Sequence, residues 1–495
     1  MKQNRNLLAS FLILCMLAGC ASTAEQPEQA TESESVPAEA MTSADSDEIT
    51  PDIPEGVRYD GYEFNILTSD EEGTIRASFE IEAEEENGDV MNDAVYQRNL
   101  VLSEMLGVTV RHVQGAYAGN GWINDFKKVV QAGDDAYDIF VADQTTVLMN
   151  SAAFGLEVSA LPYVDLSKPW WDKHIIENTA LGGKTYGLAG ALNLVDDGAA
   201  WAILFNKNFA ANHGIPVDDL YQLVRDGKWT LDVMQEYCVD VSADTNGDGI
   251  RDMYDEWGCV TSGNAVLAML PSFGGNFSVL DKNGAPTITA DTEQTITYLS
   301  RLHSFLNEGN TCITILDTNK DSNLQRSIFI EGRALFLQAT ISYIPIYLRG
   351  MQDDFGVLPY PKWDENQKNY ITTAQEWGAS MWLVPRSASD PERTSIILEA
   401  MSYLSTKTLI PAYYDKLLSE KTTRDEQSVE MLDIIFGSRT AYDLVIAYNW
   451  GDMRGLAVKL ESSDNTFASE MAKNQKAIEA AAEKAYLAAL EAAES

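Results

Sequence analysis

The sequence predicts an α/β protein with more than one domain. Its 495 residues exceed what a single core usually holds, and 45% of them are hydrophobic, which is enough for a large interior. Between residues 62 and 141, short apolar strands alternate with amphipathic helices. This alternation predicts parallel strands joined by right-handed helical crossovers.

Local patterns place the first elements. The helix over 93–106 carries its apolar side chains near one face and ends before Gly107, because glycine favours a helix stop. The C-terminal stretch 470–493 is rich in Ala, Glu and Lys and predicts a further helix. The other predicted elements are strands over 62–67, 108–110 and 137–141, and a helix over 122–132.

Polar residues follow two of the predicted strands. Ligands of parallel sheets bind beyond the carboxyl ends of the strands. Residues 68–70 and 143–145 occupy such positions, so Asp70 and Asp143 are candidate ligand-binding residues. An equally good interpretation is that these polar residues cap the helices that follow.

The first twenty residues predict export. Lys2 and Arg5 precede an apolar run of about eleven residues, which is too short to cross a bilayer. The run ends in LAGC (17–20), a lipoprotein cleavage pattern. We therefore expect a signal peptide over 1–19, a lipid on Cys20, and a mature protein anchored at the extracytoplasmic face of the cell membrane. The alternative is an ordinary signal peptide whose cleavage region contains a cysteine.

An acidic segment follows the predicted lipid site. Residues 21–54 contain no aromatic residue, Lys or Arg, so they bury little and predict a disordered linker over 20–56. The whole chain has 35 basic and 75 acidic residues, a net charge of −40. This charge argues against nucleic acid as a partner, and it disfavours an anionic solute unless a local basic pocket exists.

Three cysteines remain in the predicted mature chain: Cys238, Cys259 and Cys312. No C-x-x-C or Cys/His pattern indicates a zinc site. One disulfide and three buried thiols are equally consistent with the sequence.

Several segments resemble, in the same order, motifs of extracellular solute-binding proteins of family 1. They are GKTYGL (183–188), AILFNK (202–207), HGI (213–215), FIEGRALF (329–336) and FGVLPYPK (355–362). Members of this family are the capture lipoproteins of ABC importers, many of them for oligosaccharides. The resemblance implies a periplasmic-binding-protein-like fold of two lobes, each a mainly parallel sheet flanked by helices, with hinge crossovers between them.

The resemblance also implies how the chain is divided between the lobes. Lobe one is expected over 57–195 plus 325–375, and lobe two over 196–324 plus 376–495. The C-terminal helix is expected to pack on lobe two or to form a partly free tail.

Aromatic residues are the best candidates for ligand contact. Sugars stack their C–H faces on indole rings and leave their hydroxyl groups for polar side chains. Trp377 and Trp450 adjoin glycines at predicted crossovers, and Trp201 begins a predicted strand. For any one of these tryptophans, packing in the core is the alternative. Core packing is favoured for Trp382, which lies in an apolar run.

One loop predicts a structural Ca²⁺ site. Residues 244–255 follow the pattern D-x-N-x-D-G-x-x-D-x-x-D, which is close to an EF-hand loop. A loop without metal is the alternative, and Asp instead of Glu at the last position predicts weak binding. The predicted ligands are Asp244, Asn246, Asp248, the carbonyl of Ile250, Asp252 and Asp255.

These observations favour a binding protein over an enzyme. The sequence contains no metalloprotease, nucleophile-elbow or phosphate-loop motif, so we predict no catalytic residues. We expect a monomer that captures a carbohydrate between its lobes and delivers it to the permease subunits of an ABC importer. Alternatives are a surface glycan-binding or sensor lipoprotein without a permease, and a glycan-cleaving enzyme.

Overall fold

The structure is a computed structural model that describes residues 49–70, 78–261, 264–419, 426–462 and 464–492. The predicted signal peptide, Cys20 and nearly all of the predicted linker lie outside these ranges. The described residues from Thr50 onward form one compact unit. Among the helices described, none combines the length and the apolar character needed to cross a membrane.

Ten of the strands described form two five-stranded sheets, and four more form two small ribbons. The strands are β1 Tyr62–Ser69, β2 Val108–Gly115, β3 Ile139–Asp143, β4 Gly187–Leu188, β5 Trp201–Asn206, β6 Trp257–Val260, β7 Ser278–Leu280, β8 Pro286–Ile288, β9 Cys312–Ile313, β10 Ala334–Thr340, β11 Phe355–Leu358, β12 Thr372–Thr373, β13 Ser380–Leu383 and β14 Arg439–Ala441.

Helices cover both sheets and form much of the C-terminal part. They are α1 Val90–Leu106, α2 Gly121–Ala132, α3 Gln144–Phe154, α4 Lys173–Thr179, α5 Leu194–Gly198, α6 Lys207–Asn212, α7 Val217–Arg225, α8 Leu231–Val241, α9 Ala265–Ser272, α10 Glu293–Asn307, α11 Ser322–Ile330, α12 Pro391–Lys407, α13 Leu409–Ser419, α14 Glu426–Gly437, α15 Leu444–Ala447, α16 Met453–Val458 and α17 Phe467–Ala492. All the elements predicted from local patterns are present, with ends shifted by a few residues.

The first sheet has the strand order β2-β1-β3-β13-β4. Strand β1 pairs in parallel with β2 and β3, whereas β13 runs antiparallel to β3 and β4. Successive side chains of a strand point to opposite faces. Ile139 and Val141 therefore join one core cluster, and Phe140 and Ala142 join another. Both faces of this sheet are buried, and we call this part of the molecule the first lobe.

The second sheet has the order β11-β5-β10-β6-β9. Its central strand β10 is parallel to β6 and antiparallel to β5. Ile203 and Phe205 of β5 pack into one cluster while Ala202 and Leu204 pack into another, so this sheet is also covered on both faces. It forms the core of the second lobe.

The predicted α/β class and the two sheets are confirmed, but the sheets are mixed and not mainly parallel. Each contains two parallel and two antiparallel pairings. The antiparallel strand β13 enters the first sheet directly from the second lobe. It does not follow a helical crossover from a neighbouring strand, which is the connection that makes strands parallel.

The sheets also correct the predicted division of the chain. Strands β10 and β11 lie within the segment 325–375 assigned to lobe one, yet they pair with β5 and β6 in the second lobe. Strand β13 lies within 376–495, assigned to lobe two, yet it belongs to the first sheet. The chain returns to the first lobe after about residue 374, later than expected. The remaining lobe boundaries stay predictions.

The folded part begins before residue 57, where the linker was expected to end. Ile53 packs against the core cluster of the first lobe. The Nζ of Lys168 donates to the carbonyl oxygen of Thr50 at 3.1 Å and forms an ion pair with Asp52 at 3.0 Å. Residues 50–56 are therefore held on the first lobe.

The C-terminal helix packs on both lobes and not on the second alone. Phe467 and Met471 at its start are buried in a second-lobe cluster. Near its end, Ala489 accepts a hydrogen bond from the Tyr186 hydroxyl at 3.3 Å. A Cβ on Gly182 would lie 2.6 Å from Leu490, so a glycine at this position lets α17 approach closely.

The three cysteines are free and buried in the second lobe. Cys259 and Cys312 are register partners on adjacent strands. Burial raises the pKa of the Cys238 and Cys259 thiols well above the ordinary value, so neither is a ready nucleophile.

Candidate functional site

A cavity of about 160 Å³ opens at the carboxyl ends of β1 and β3 in the first lobe. Thr68 and Ser69 line it from the end of β1, and Asp143 lines it from the end of β3. Gly378, on the segment that returns from the second lobe, closes one side. This is the edge where parallel strands normally present their ligand-binding residues.

Two aromatic side chains form one wall of the cavity. The rings of Tyr117 and Trp122 stack with centroids 5.6 Å apart and an interplanar angle of 24°. They flank the connection between β2 and α2, where Asn120 adopts a positive φ of 56° that permits the tight turn. A Cβ on Gly115 would lie 2.6 Å from the Cβ of Trp122, so only glycine allows this close approach.

The indole N–H of Trp122 is buried and has no hydrogen-bond partner. Trp122 is 5% exposed, whereas Tyr117 is 39% exposed at the rim. A buried donor without an acceptor costs free energy, on the order of 1–3 kcal/mol. An acceptor supplied by a ligand would remove this cost.

Asp143 caps a helix and also lines the cavity, and its contact with a ligand stays a prediction. Its carboxylate caps α3 by accepting from the backbone N–H of Thr146 at 3.0 Å and from the Thr146 hydroxyl at 2.7 Å. Within the part of the chain that the structure describes, it is also the one charged side chain that lines the cavity. The site therefore offers a carboxylate beside aromatic rings, which suits a ligand with hydroxyl donors and apolar faces.

Asp70 does not line the cavity but supports its wall. Its Oδ1 accepts a hydrogen bond from the backbone N–H of Tyr117 at 2.6 Å. This bond holds the start of the β2–α2 connection against the end of β1. Asp70 is therefore a positioning residue for Tyr117.

A buried polar network lies beneath the site. Gln144, the neighbour of Asp143, donates to Asp196 Oδ1 at 3.0 Å and accepts from the Tyr442 hydroxyl. Asp196 also lies 3.2 Å from Arg439. Burial raises the pKa of Asp196 to about 7, an effect that Arg439 opposes.

The same network spans the crossing between the lobes. Arg439 on β14 forms further ion pairs with Asp172 at 2.7 Å and Asp197 at 2.9 Å. At the crossing itself, the backbone N–H of Gln375 donates to the carbonyl of Ala199 at 2.9 Å. The two segments that join the lobes are thus bonded to each other close to the cavity.

The three candidate tryptophans are not brought together. Trp377 is half-buried, with the Arg454 guanidinium 5.3 Å from its ring, and only its neighbour Gly378 reaches the cavity. Trp450 stacks on Tyr448 and lines a different cavity.

Trp201 is not a cavity residue. It is 2% exposed and meets Tyr360 edge to face, with centroids 6.4 Å apart, in the second-lobe core. The alternative of core packing therefore applies to Trp201, because its strand is buried on both faces. Trp382, expected in the core, is fully buried.

Sequence reasoning missed Tyr117 and Trp122 as site residues. The signal that could have found them is the segment AYAGNGW (116–122), a turn-forming run that follows the strand over 108–110. Ligand-binding residues are expected beyond the carboxyl end of β2, as they are for β1 and β3, because β2 pairs in parallel with β1 in the same sheet.

The predicted calcium loop forms a compact turn. Asp244 accepts from the backbone N–H groups of Gly247 at 2.7 Å and Gly249 at 2.8 Å, and these bonds lower the pKa of its carboxyl. Asp255 is fully buried, and its carboxylate lies 3.9 Å from the guanidinium of Arg251. Arg251 therefore supplies a positive charge beside this carboxylate.

In the residues described, no group of three His, Cys, Asp or Glu side chains is arranged to hold a metal ion. The site stays a prediction.

Comparisons with known proteins show which fold this is. No protein-family model matches the chain, and no curated protein matches it. Among solved structures, the chain is similar to UspC of M. tuberculosis, with a TM-score of 0.57 and 15% identity over 85% of this chain and 100% of that one.

Two further structures are ligand complexes or receptors. The ABC substrate-binding protein Lmo0181 of Listeria monocytogenes, in complex with cycloalternan, has a TM-score of 0.55 and 13% identity over 85% of this chain and 99% of that one. The GacH receptor of Streptomyces glaucescens, solved unliganded and with acarbose, has a TM-score of 0.53 and 13% identity over 86% of this chain and 98% of that one.

The chain has the two-lobed fold of an ABC substrate-binding protein. The resemblance seen in the sequence is thus confirmed at the level of the fold.

Proposed function

We propose that this protein captures a carbohydrate, an oligosaccharide, at the cavity beside Asp143 and performs no chemistry on it. The observation that carries the proposal is the stacked pair of Tyr117 and Trp122, with its unpartnered indole N–H, next to a single carboxylate. A pyranose ring offers C–H faces for stacking, hydroxyl donors for Asp143 and acceptor oxygens for the Trp122 N–H. The similar structures solved with cycloalternan and acarbose support this ligand class.

Binding would be coupled to closure of the lobes. A ligand stabilises the closed state only through contacts that are stronger in that state. Gly378, on the segment that returns from the second lobe, already borders the cavity, so movement of this segment would alter the ligand environment. Closure would then present one surface to the permease subunits of an ABC importer.

We further propose that the protein acts at the extracytoplasmic face of the cell membrane, held by a lipid on Cys20. The support is the sequence pattern of residues 1–20. Replacement Cys20→Ser is expected to move the protein from the membrane fraction to the soluble fraction. Continued membrane association of this variant would contradict the proposal.

A thermal-shift screen against neutral oligosaccharides tests the central proposal. A stabilising sugar is expected, and calorimetry should then show one-site binding without cleavage products after prolonged incubation. Products would indicate a glycan-cleaving enzyme, and the absence of any binding sugar would overturn the assignment.

Uptake separates the importer from the alternative of a surface sensor. Deletion of the gene should abolish uptake of the identified sugar if the protein serves a permease. Unchanged uptake with intact binding would favour a glycan-binding lipoprotein without a permease.

A further inference from the structure

A second cavity, of about 360 Å³, lies on the other side of α3. Leu148 and Ala152 face it, whereas Asp143 and Thr146 face the first cavity. At 100° per residue these two pairs fall on opposite sides of the helix, so the cavities are separate. The segment around Lys184 and the C-terminal half of α17 form the remaining walls.

Aromatic rings form a flat wall of this cavity. Tyr448 and Trp450 stack with centroids 5.0 Å apart and an interplanar angle of 21°. Helix α17 contributes Lys484 and several small side chains to the lining, among them Ala481 and Ala485. A flat apolar wall of this kind suits the C–H face of a sugar ring.

The charge of the cavity is opposite to that of the whole protein. Among the described residues, Lys184 and Lys484 are the charged side chains that line it, and no carboxylate of these residues does so. The chain as a whole has 75 acidic residues against 35 basic ones. The ion pairs and hydrogen bonds of the described residues include neither ammonium group, so both are available to a ligand. This is the local basic pocket that an anionic solute requires.

We propose that this second cavity binds a carboxylated sugar, a uronic acid residue of an oligosaccharide. The ring stacks on the Tyr448–Trp450 pair, and the carboxylate pairs with Lys184 and Lys484. A neutral sugar would use the stacking wall but leave both ammonium groups unpaired. Lys184 also belongs to the segment GKTYGL (183–188), whose role the first cavity does not explain.

The proposal is independent of the function assigned to the first cavity. An acid-specific site explains the two unpaired lysines whether or not a neutral oligosaccharide binds beside Asp143. The test therefore needs a ligand pair that shares one sugar backbone and differs in the charge of its carboxyl groups.

Oligogalacturonate and its fully methyl-esterified form are such a pair. Calorimetry with the wild-type protein should show binding of the acid and at least tenfold weaker binding of the ester. The double variant Lys184→Gln/Lys484→Gln should bind the acid at least tenfold more weakly, with an unchanged melting temperature. The control Lys173→Gln/Lys476→Gln removes two exposed charges from α4 and α17 outside the cavity and should bind like the wild type.

Other results would overturn the proposal. They are no binding of the acid by the wild type, equal binding of acid and ester, or equal losses in the double variant and its control. Weaker acid binding in Trp122→Phe, with no effect of the two lysine changes, would place the acid in the first cavity and also overturn it.

Discussion

Arg439 lies 2.7 Å from Asp172, and this ion pair ties β14 to the start of α4 in the first lobe. The same guanidinium pairs with Asp196 and Asp197 on the crossing between the lobes. Asp196, which is buried, and Asp172 and Asp197, which are half-buried, therefore share one cation. Removing that cation leaves charges in a poorly solvated place.

We expect Arg439→Met to lower the free energy of unfolding by about 3–5 kcal/mol, because buried carboxylates lose their partner. Urea denaturation measures this loss. The matched control is Arg111→Met, which breaks solvent-accessible pairs with Glu63 and Glu82 and should cost less than about 1 kcal/mol. Equal losses in the two variants would show that the ion pairs of Arg439 contribute no more to the free energy of unfolding than an exposed ion pair does.

Trp122→Phe should weaken binding of the sugar found by the screen about 5- to 15-fold. The variant keeps an aromatic ring but lacks the indole N–H, and a hydrogen bond of about 1–1.5 kcal/mol corresponds to that factor. Calorimetry measures the affinity. The control Trp363→Phe, in a second-lobe aromatic cluster with Tyr298, should bind normally. Unchanged affinity in Trp122→Phe would exclude the N–H from ligand contact.

Trp377→Ala tests whether the segment before Gly378 takes part in closure. Trp377 lies beside Arg454 on the second-lobe side of the crossing. We expect loss of the ligand-induced fluorescence change while the circular dichroism spectrum stays native. Unaltered affinity and an unaltered fluorescence response would remove Trp377 from the site.

Glu399 makes stability depend on pH. Its buried carboxyl accepts from the indole N–H groups of Trp170 at 3.1 Å and Trp171 at 2.9 Å, and burial raises its pKa to about 7. Because the folded state holds the proton more tightly than the unfolded state, this contribution is complete below pH 4.5 and is lost as the pH rises through about 7.

The pH effect is measured by comparing unfolding free energies at pH 5 and pH 8. The decrease should be smaller in Glu399→Gln than in the wild type, by about 1–3 kcal/mol. Glu392→Gln, an exposed change on the same helix, should leave the wild-type decrease intact. A parallel decrease in Glu399→Gln and wild type would refute the assignment.

Calcium binding by the loop over 244–255 is tested with Asp244→Ala/Asp248→Ala. If the loop binds Ca²⁺, calorimetric uptake should be lost in this double variant. The control Asp281→Ala removes a similar turn-forming carboxylate, which accepts from Asn283 and Ala285, in a loop without the calcium pattern. Uptake that is unchanged in the double variant, or absent in the wild type, would eliminate the site.

The sequence predicts the local elements well and the long-range assembly less well. Strand β1 and helix α1 follow from periodicity and from Gly107, which are local signals. The position of β13 does not, because a buried apolar strand such as SMWL fits either sheet. Only the pairing with Val141 and Leu188 shows which sheet it joins.

In the candidate site, too, the sequence predicts features set by local signals and does not predict those set by long-range packing. Asp143 was predicted because it ends a strand, a position that sequence can indicate. Trp201 was wrongly predicted to contact the ligand, because the sequence does not show whether the face of the sheet that carries a strand tryptophan is buried or open. Tyr117 and Trp122 become neighbours through a turn at Asn120, a relationship that no spacing rule predicts.

The position of β13 also constrains how the first sheet can fold. It fills the place between β3 and β4, although it follows β3 by more than 230 residues in the chain. A fragment that ends before β13 would lack the strand between β3 and β4. The backbone groups of β3 and β4 that normally pair with β13 would then be unpaired. Such open edges invite pairing with other chains, so incomplete products should aggregate. Long-range closure of this kind also predicts slow folding.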